Sequence, residues 1–475
     1  MSLFAEQSSA KLSPGSSRHV LTLQKMLGED KGVAPVAQMV ARLRDALDRT
    51  RLVRLTFRDL VVPAAILLYL RWLEHYEGER EAAAAFDGRE YASSLPEELR
   101  WKNLKELRGG RLTHQINEIL LPEALGTLDG EGRDRYIQKY VAPKIDMIRS
   151  GPFARQIERM AHGWMRLLEL PEELRDEMVE LVGEMPFDRV EERQVGEQLL
   201  GAMIREGATS RSAYYMPQAA ADLIVEVARP QSGERIYDPC FGSGNLLVTA
   251  IRRLREESRY LPTRQWEGLH SDTIFGVDHY PDYWFVGMVR ITLAGIDHPA
   301  LELGDVLSWP KIKNVSREGF DCILAVPPWR SLDQGSRSAS FDIQTKSSEG
   351  LFIQHIAASL RPGGRAVVAL PASFLFSAGS EKRVRKMLLE EFRVDGVIGL
   401  PPNLFKPYTS MESGLLVFRR ERPALRIRFM SCEAIRTDDS TSTALNTLSP
   451  SEVAKTFHSS KLAENVWETP IKAIE

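Results

Sequence analysis

Cysteine is scarce in this chain of 475 residues, which contains only Cys240, Cys322 and Cys432. The three are widely separated and include no pair with the spacing Cys-x-x-Cys, which argues against a disulfide framework and a cysteine-based zinc site. Scattered cysteines of this kind are typical of a reducing compartment. We therefore expect a cytoplasmic protein that holds no metal ion.

Long apolar runs are also lacking. The longest, Val61–Leu73, includes Arg71 and is shorter than the roughly 20 residues that a membrane-spanning helix needs. The amino terminus shows no basic segment followed by an apolar one, so no export signal is indicated. We predict a buried helix at this run and no membrane association.

A strong excess of charge of either sign is absent as well. The chain has 62 basic and 65 acidic residues, a formal charge of -3, and 43% hydrophobic residues. This balance neither indicates nor excludes nucleic acid, because binding depends on a local basic face rather than on a total. The length and composition are those of a globular protein with two or three domains.

The chain divides by pattern into four segments. Residues 1–34 have weak periodicity and predict a flexible amino-terminal segment, whereas residues 35–195 repeat apolar positions at three-and-four spacing and predict a helical domain. Residues 196–435 predict a catalytic domain, and the polar, Ser- and Thr-rich residues 436–475 a carboxyl-terminal extension. Whether the native chain continues past Glu475 stays open.

Short strand-like runs alternate with helical stretches after Gly207. The runs read GERIYDP, IFGVDHY, FDCILAVPP, GGRAVVALP and VDGVIGLP, and a late pair, GLLVFRRERPALRIRFMS, follows them. This alternation predicts an α/β fold with a doubly wound parallel sheet. Ligands of such sheets bind at the carboxyl ends of the strands, so the residues that follow each strand carry the functional information.

A glycine-containing turn follows the first run, in IYDPCFGSGNLLVTA (residues 236–250). Gly242 and Gly244 allow a close approach of the backbone to a ligand, and the start of the following helix favours an anionic group. The turn lacks the third glycine of a dinucleotide-binding motif and the Gly-Lys-Ser/Thr of a P-loop. In isolation, a turn of the Gly-x-Gly type favours an ordinary connection between a strand and a helix.

Two acidic residues follow the next two strand-like runs. Asp278 ends IFGVDHY, where it could accept the hydroxyls of a ribose, although a helix N-cap is an equally good explanation for it alone. Asp305, in LELGDVLSW, could accept a hydrogen bond from the amine of an adenine ring. With Asp238, they place acids at three successive strand ends and predict a nucleoside-bearing cofactor.

Two prolines and a tryptophan follow the fourth run. Pro327 and Pro328 would turn backbone carbonyls into the crevice, and Trp329 offers a flat face for stacking a planar ring. On their own, these residues favour a strand that ends at proline with a core tryptophan. The glycine turn and the three acids upstream make a base-binding loop the better interpretation.

Together these residues resemble the N6-adenine DNA methyltransferases, and more narrowly the modification subunits of type I restriction-modification systems. The family motif Asp-Pro-Ala-Cys-Gly-Ser-Gly corresponds to residues 238–244, and its Phe-Tyr-Thr-Pro segment to residues 214–217, with Met216 in place of threonine. The segment GLFIQHIAASLRPGGRAVVALPASFLFSAGSEKRVRKMLLEEFRVDGVIGLPPNLF is similar to the family throughout. The resemblance covers roughly residues 36–435.

The resemblance implies a Rossmann-like S-adenosylmethionine-dependent methyltransferase preceded by an all-α domain. It implies methyl transfer to N6 of an adenine flipped out of double-stranded DNA, together with a specificity subunit and with or without a restriction subunit. The implied cofactor-binding residues are Tyr215, Pro217, Asp238, Pro239, Gly242, Ser243, Gly244, Asp278 and Asp305. The implied catalytic residues are those at positions Val326, Pro327, Pro328 and Trp329.

One position departs from the family. The family has an asparagine before the two prolines, whose side-chain oxygen accepts a hydrogen of the target amine, and this chain has Val326. Loss of one such acceptor costs about 10²–10³ in rate at comparable sites. Three explanations stay open: a catalytically impaired member that binds cofactor or DNA within an assembly, a substitute polar group such as Asp333 or Gln334, or a change within an active lineage. Methylation of another acceptor, such as a protein amide, is a weaker alternative.

Overall fold

A computed structural model describes most of the chain. The described residues are 33–50, 55–93, 96–112, 114–115, 166–208, 216–258, 273–308, 318–330, 341–433, 435 and 448–473. Residues 1–32, in the predicted flexible segment, lie outside them.

The first half of the described chain is helical. Its helices are α1 (Val33–Arg49), α2 (Phe57–Phe86), a 3-10 turn (Glu97–Leu99), α3 (Trp101–Leu104), α4 (Glu172–Glu184) and α5 (Val190–Glu206). The apolar run Val61–Leu73 lies within α2 and is almost entirely buried, as predicted. Arg71 is accommodated there because its guanidinium lies over the Phe187 ring, 5.6 Å from the centroid. None of the described helices is long and apolar enough to cross a membrane.

A nine-stranded sheet forms the second half. Its strands are β1 (Ile236–Asp238), β2 (Ile274–Asp278), β3 (Ala300–Leu303), β4 (Phe320–Ala325), β5 (Leu360–Pro371), β6 (Arg393–Leu400), β7 (Ser413–Arg419), β8 (Arg426–Ser431) and β9 (Val466–Pro470). The accompanying helices are α6 (Gln218–Ala228), α7 (Asn245–Ser258), α8 (Pro281–Leu293), α9 (Ser348–Ser359), α10 (Ala372–Phe376), α11 (Ser380–Glu391) and α12 (Pro450–His458). A last 3-10 turn covers Ile471–Ala473.

The strand order is β3-β2-β1-β4-β5-β7-β6-β8-β9. Strands β3, β2, β1, β4 and β5 are parallel neighbours, and β7 runs antiparallel between β5 and β6. The predicted doubly wound α/β fold is therefore confirmed. The predicted late strand pair is wrong in one respect: β7 and β8 both form, but β6 lies between them, because β7 pairs with β5 and β6 whereas β8 pairs with β6 and β9.

The strand order reverses at β1, which has β2 on one side and β4 on the other. Helices that leave two neighbouring strands in opposite directions open a crevice at their carboxyl ends. The strands at this point are held by a buried aromatic layer, in which Tyr237 stacks on Phe320 with 4.3 Å between ring centroids. The crevice between β1 and β4 is thus the expected position of a ligand.

The helical and sheet regions share one core. Helix α5 runs across the predicted domain boundary at residues 195 and 196, and α2 packs against both α5 and α8. Residues 448–473, within the predicted extension, add α12 and strand β9 to the described fold. Arg428 of β8 binds this part of the chain, because its Nη2 donates a hydrogen bond to Oε1 of Glu468 on β9 at 2.7 Å.

Candidate functional site

A pocket that is partly open to solvent lies at the carboxyl ends of the central strands, with about 870 Å³ of empty space that includes the solvent at its open side. The loops after β1, β2, β3 and β4 all contribute to its wall, as the topology requires. Its lining residues are Met216, Pro239, Cys240, Phe241, Gly242, Ser243, Asn245, Asp278, His279, Gly304, Asp305, Val306, Leu307, Val326, Pro327, Pro328, Arg330, Phe352, Phe405 and Tyr408.

The glycine turn after β1 needs glycine at two positions. Gly242 and Gly244 have φ angles of 55° and 83°, in the left-handed region that side chains with a Cβ disfavour. Helix α8 also approaches closely, since a Cβ on Gly244 would lie 3.2 Å from Gly287 Cα. The two glycines therefore let the turn close tightly against α8 while Gly242 faces the pocket.

Phe241 occupies the place of the cysteine in the motif that the sequence resembles, and its ring is buried. Two glycines make room for it: a Cβ on Gly276 would lie 2.7 Å from the ring, and one on Gly287 2.5 Å from it. The larger side chain thus fits into space left by glycines on β2 and α8. The turn keeps its backbone conformation although the motif is altered.

The acids after β1 and β2 are both buried at the base of the crevice. Asp238 Oδ1 accepts the Cys240 N–H at 2.9 Å, and its carboxyl is not among the groups that line the pocket. Burial, with a smaller contribution from the charge of Asp278, raises the pKa of Asp238 to about 7. Asp238 therefore supports the turn from beneath.

Asp278 joins the first two loops and faces the pocket. Oδ2 accepts the Gly242 N–H and Oδ1 accepts the Tyr280 N–H, both at 2.9 Å. Burial raises its pKa, and these two hydrogen bonds oppose that shift. The N-cap of α8 is Tyr280 rather than Asp278. Asp305, also in the wall but exposed, accepts the Leu307 N–H at 3.0 Å.

The loop after β4 forms the opposite wall. Val326, Pro327 and Pro328 all line the pocket. Ser348, at the start of α9, holds the loop: its hydroxyl donates to the Pro328 carbonyl and its N–H to the Arg330 carbonyl. The backbone of this loop is thus fixed by neighbouring elements.

Trp329 is not among the pocket-lining residues. Its indole N–H donates to the Ala369 carbonyl of β5 at 3.3 Å, and its ring lies edge-on to Phe405 at 5.3 Å between centroids. Phe241 and Phe352 line the pocket, and so do Phe405 and Tyr408. Phe405 and Tyr408 follow strand β6, which is parallel to β5. The rule that ligands bind at the carboxyl ends of strands, applied to the segment LPPNLFKPY, would therefore have identified them.

The remaining predicted residues lie around this pocket or outside the described chain. Tyr215 lies outside the described residues, as do the substitute acceptors Asp333 and Gln334. Pro217 is the N-cap of α6 and does not line the pocket, whereas its neighbour Met216 does. Within the described chain, no group of three or more His, Cys, Asp or Glu residues could hold a metal ion.

Residues 193–468 match the family described as N-6 DNA Methylase. The chain is 24% identical over 380 residues to the type I restriction enzyme EcoEI methylase subunit of Escherichia coli, covering 76% of this chain and 71% of that protein. It is 23% identical over 387 residues to the StySJI methylase subunit of Salmonella typhimurium, covering 77% of this chain but 64% of that protein.

Solved structures show the same fold. A chain of a type I R-M system superposes with a TM-score of 0.70 at 23% identity, over 92% of this chain and 88% of that one. The type I restriction-modification methyltransferase subunit of Streptococcus thermophilus gives 0.60 at 17% identity, over 92% and 96%. The resemblance noted in the sequence is confirmed, since a family model that matches residues 193–468 covers more than half of the chain. This chain belongs to the N-6 DNA methylase family.

Proposed function

We propose that this protein is the modification subunit of a type I restriction-modification system, which methylates N6 of adenine in DNA and uses S-adenosylmethionine. One observation carries the proposal: a single pocket brings the Gly242–Ser243 turn, Asp278 and Asp305 face to face with the Val326–Pro328 loop. The relatives named above are methylase subunits of type I restriction enzymes, which supports the same reaction class.

The residues around the first two strands fit S-adenosylmethionine. Gly242 carries no side chain beside the pocket, and the Asp278 and Asp305 carboxylates both lie in its wall. We assign Asp278 to the ribose hydroxyls and Asp305 to the adenine amine, because carboxylates accept such hydrogen bonds. Pro239 and Ser243 would flank the cofactor, and Asp238 and Gly244 would keep the turn in shape. The bound cofactor supplies the electrophilic methyl group.

The opposite wall would receive the target adenine. The amine is a poor nucleophile because its lone pair is delocalised into the ring, so catalysis depends on orienting it and on accepting its hydrogens. The Pro327 carbonyl is our candidate for one acceptor, on a loop that Ser348 holds in place. Phe405 and Tyr408 offer rings for stacking an extruded base, and the exposed Arg330 offers a positive charge at the pocket mouth.

Val326 supports a second candidate function. Its side chain occupies the wall where the family has an amide oxygen, and it can accept no hydrogen bond. A protein with this pocket and this residue could bind cofactor and DNA as a component of an assembly without rapid turnover. Both candidates place the protein in the cytoplasm, with double-stranded DNA, a specificity subunit and a restriction subunit as partners.

Methyl transfer from labelled S-adenosylmethionine to unmethylated DNA, measured with the specificity subunit present, distinguishes the two candidates. Label on adenine N6 at a rate above that of a no-enzyme control supports the first function. Measurable cofactor binding by calorimetry without label transfer supports the second. A protein that binds no S-adenosylmethionine would contradict both.

A further inference from the structure

Arg290 of α8 is a buried cation directly beneath the glycine turn. Its Nη1 donates to the Ser243 carbonyl at 2.9 Å, and its Nη2 to Asn245 Oδ1 at 3.1 Å. The guanidinium therefore bridges the last part of the turn and the first residue of α7. A planar group with several donors is suited to hold two acceptors at a fixed spacing.

Asn245 in turn forms a hydrogen bond with a third pocket residue. Its Nδ2 donates to the Met216 carbonyl at 2.9 Å, in the segment that leads into α6. Met216, Ser243 and Asn245 all line the pocket, whereas Arg290 itself does not. One guanidinium thus acts on three lining residues without needing to touch the ligand.

Glu197 orients Arg290 from the other side. Its Oε1 accepts both Nε and Nη2 of Arg290, at 3.0 Å and 2.6 Å, and both side chains are almost completely buried. Gly201, one turn further along α5, leaves the necessary space, since a Cβ there would lie 3.3 Å from Arg290 Nη2. Glu197 belongs to α5, so the contact reaches the pocket from the helical region.

A buried ion pair is costly to desolvate, and apolar side chains of similar volume often replace one without loss of stability. Stability alone is therefore a weak explanation for this pair. We propose that Arg290 is a positioning residue for the cofactor, that Glu197 orients it, and that the pair couples helix α5 to the conformation of the glycine turn. This inference rests on the proposed use of S-adenosylmethionine.

The test uses the full chain with Arg290→Met, Glu197→Gln and the double variant Glu197→Leu/Arg290→Met. The matched control is Arg365→Met: Arg365 also pairs with a glutamate, Glu234, at 2.7 Å and donates to backbone carbonyls, but none of these groups lines the pocket. The free energy of unfolding is measured by denaturant titration, and the dissociation constant for S-adenosylmethionine by calorimetry.

We expect Arg290→Met to weaken S-adenosylmethionine binding by about tenfold to a hundredfold, the usual effect of losing hydrogen bonds from a charged group. The double variant should recover stability relative to Arg290→Met, because no uncompensated charge stays buried, but it should not recover affinity. Arg365→Met should lose stability and keep its affinity within twofold. Equal affinities for Arg290→Met and Arg365→Met would overturn the proposal.

Hydrogen exchange tests the positioning role independently of the cofactor. The Gly242 N–H is bonded to Asp278 and the Gly244 N–H to the Phe241 carbonyl, so both should exchange slowly. We expect Arg290→Met to accelerate exchange in this turn more than Arg365→Met does at equal global stability. If the unmodified protein bound no S-adenosylmethionine, the proposed function would fail, while exchange in the turn would still decide the role of Arg290.

Discussion

The two walls of the pocket differ in what their side chains offer. The wall built from the loops after β1, β2 and β3 places two carboxylates beside a glycine turn, and buried hydrogen bonds hold it together. The wall built from the loop after β4 is also held by a hydrogen bond, from Ser348, but the residue before its two prolines is Val326. Hydrogen bonds thus hold the loops on both sides, whereas the Val326 side chain supplies no hydrogen-bond acceptor.

Because of this difference, ligand binding and the rate of methyl transfer should be considered separately. A preorganised backbone can orient a base, but accelerating transfer requires acceptors that interact more strongly in the transition state than in the ground state. The altered cofactor motif shows how such a change can be accommodated: Phe241 replaces a smaller residue, and Gly276 and Gly287 make room for it. Replacing an amide by valine removes an oxygen instead, and only another polar group, such as the predicted substitutes Asp333 and Gln334, could supply one.

The largest expected effect comes from restoring that oxygen. Val326→Asn should raise the rate of methyl transfer to DNA by about 10²–10³, the usual contribution of one preorganised acceptor. Single-turnover transfer of labelled methyl, with the specificity subunit present, measures the rate. Val326→Ala is the control, since it relieves the same bulk without adding an acceptor. Equal rates for the unmodified protein and Val326→Asn would show that another group performs this role.

Beneath the opposite wall, Asp238→Asn should change how the free energy of unfolding depends on pH. The pKa of Asp238 is about 7 in the folded protein, above the ordinary 3.8, so its stabilising contribution is complete below pH 4 and is lost as the pH rises through 7. Asparagine cannot ionise and still accepts the Cys240 N–H. The free energy of unfolding of the variant minus that of the unmodified protein should therefore increase by on the order of 3 kcal/mol from pH 4 to pH 8.

Denaturant titrations across this pH range, without cofactor, measure the gain. Asp238→Ala also removes the charge but leaves the Cys240 N–H without its acceptor, so it should show the same gain between pH 4 and pH 8 while having a lower free energy of unfolding than Asp238→Asn at every pH. A constant difference between Asp238→Asn and the unmodified protein at all pH values would contradict the prediction.

Asp278→Ala should weaken binding of S-adenosylmethionine by about tenfold to a hundredfold. The change removes the acceptor of the Gly242 N–H and the proposed ribose contact together, and hydrogen bonds to charged groups are worth this much. Calorimetry gives the dissociation constant. Glu302→Ala, an exposed acid on β3 that does not line the pocket, should leave it unchanged. Equal effects of the two variants would remove Asp278 from the proposed site.

Tyr408→Ala should weaken the capture of an extruded base by about tenfold, since stacking contributes roughly 1–3 kcal/mol per base. Tyr408→Phe keeps the ring and should have a much smaller effect. The fluorescence of 2-aminopurine at the target position reports capture, with the specificity subunit present. Phe376→Ala, which removes an exposed aromatic ring that does not line the pocket, is the control. If Trp329→Ala abolished capture and Tyr408→Ala did not, Trp329 would be the stacking residue.

Much of the pocket wall was predictable because the ends of strands can be recognised in a sequence. Asp278, Asp305 and the Gly242–Ser243 turn each follow an apolar run, and parallel strands bring their carboxyl ends to one edge. Phe405 and Tyr408 follow such a run as well, and the two prolines after it mark their loop in the same way. The orientation of Trp329 could not be predicted, because it depends on the Ala369 carbonyl, 40 residues away on the next strand.

The sequence by itself determined the family, the parallel sheet and the position of the departure at Val326, because periodicity and local motifs are properties of neighbouring residues. Only the tertiary structure decided which aromatic rings face the pocket and that a helix of the amino-terminal region reaches the glycine turn. Glu197 and Arg290 are 93 residues apart, and each alone is an ordinary charge on a helix. They become informative when both are seen to be buried against each other, since that is where a charge requires a partner.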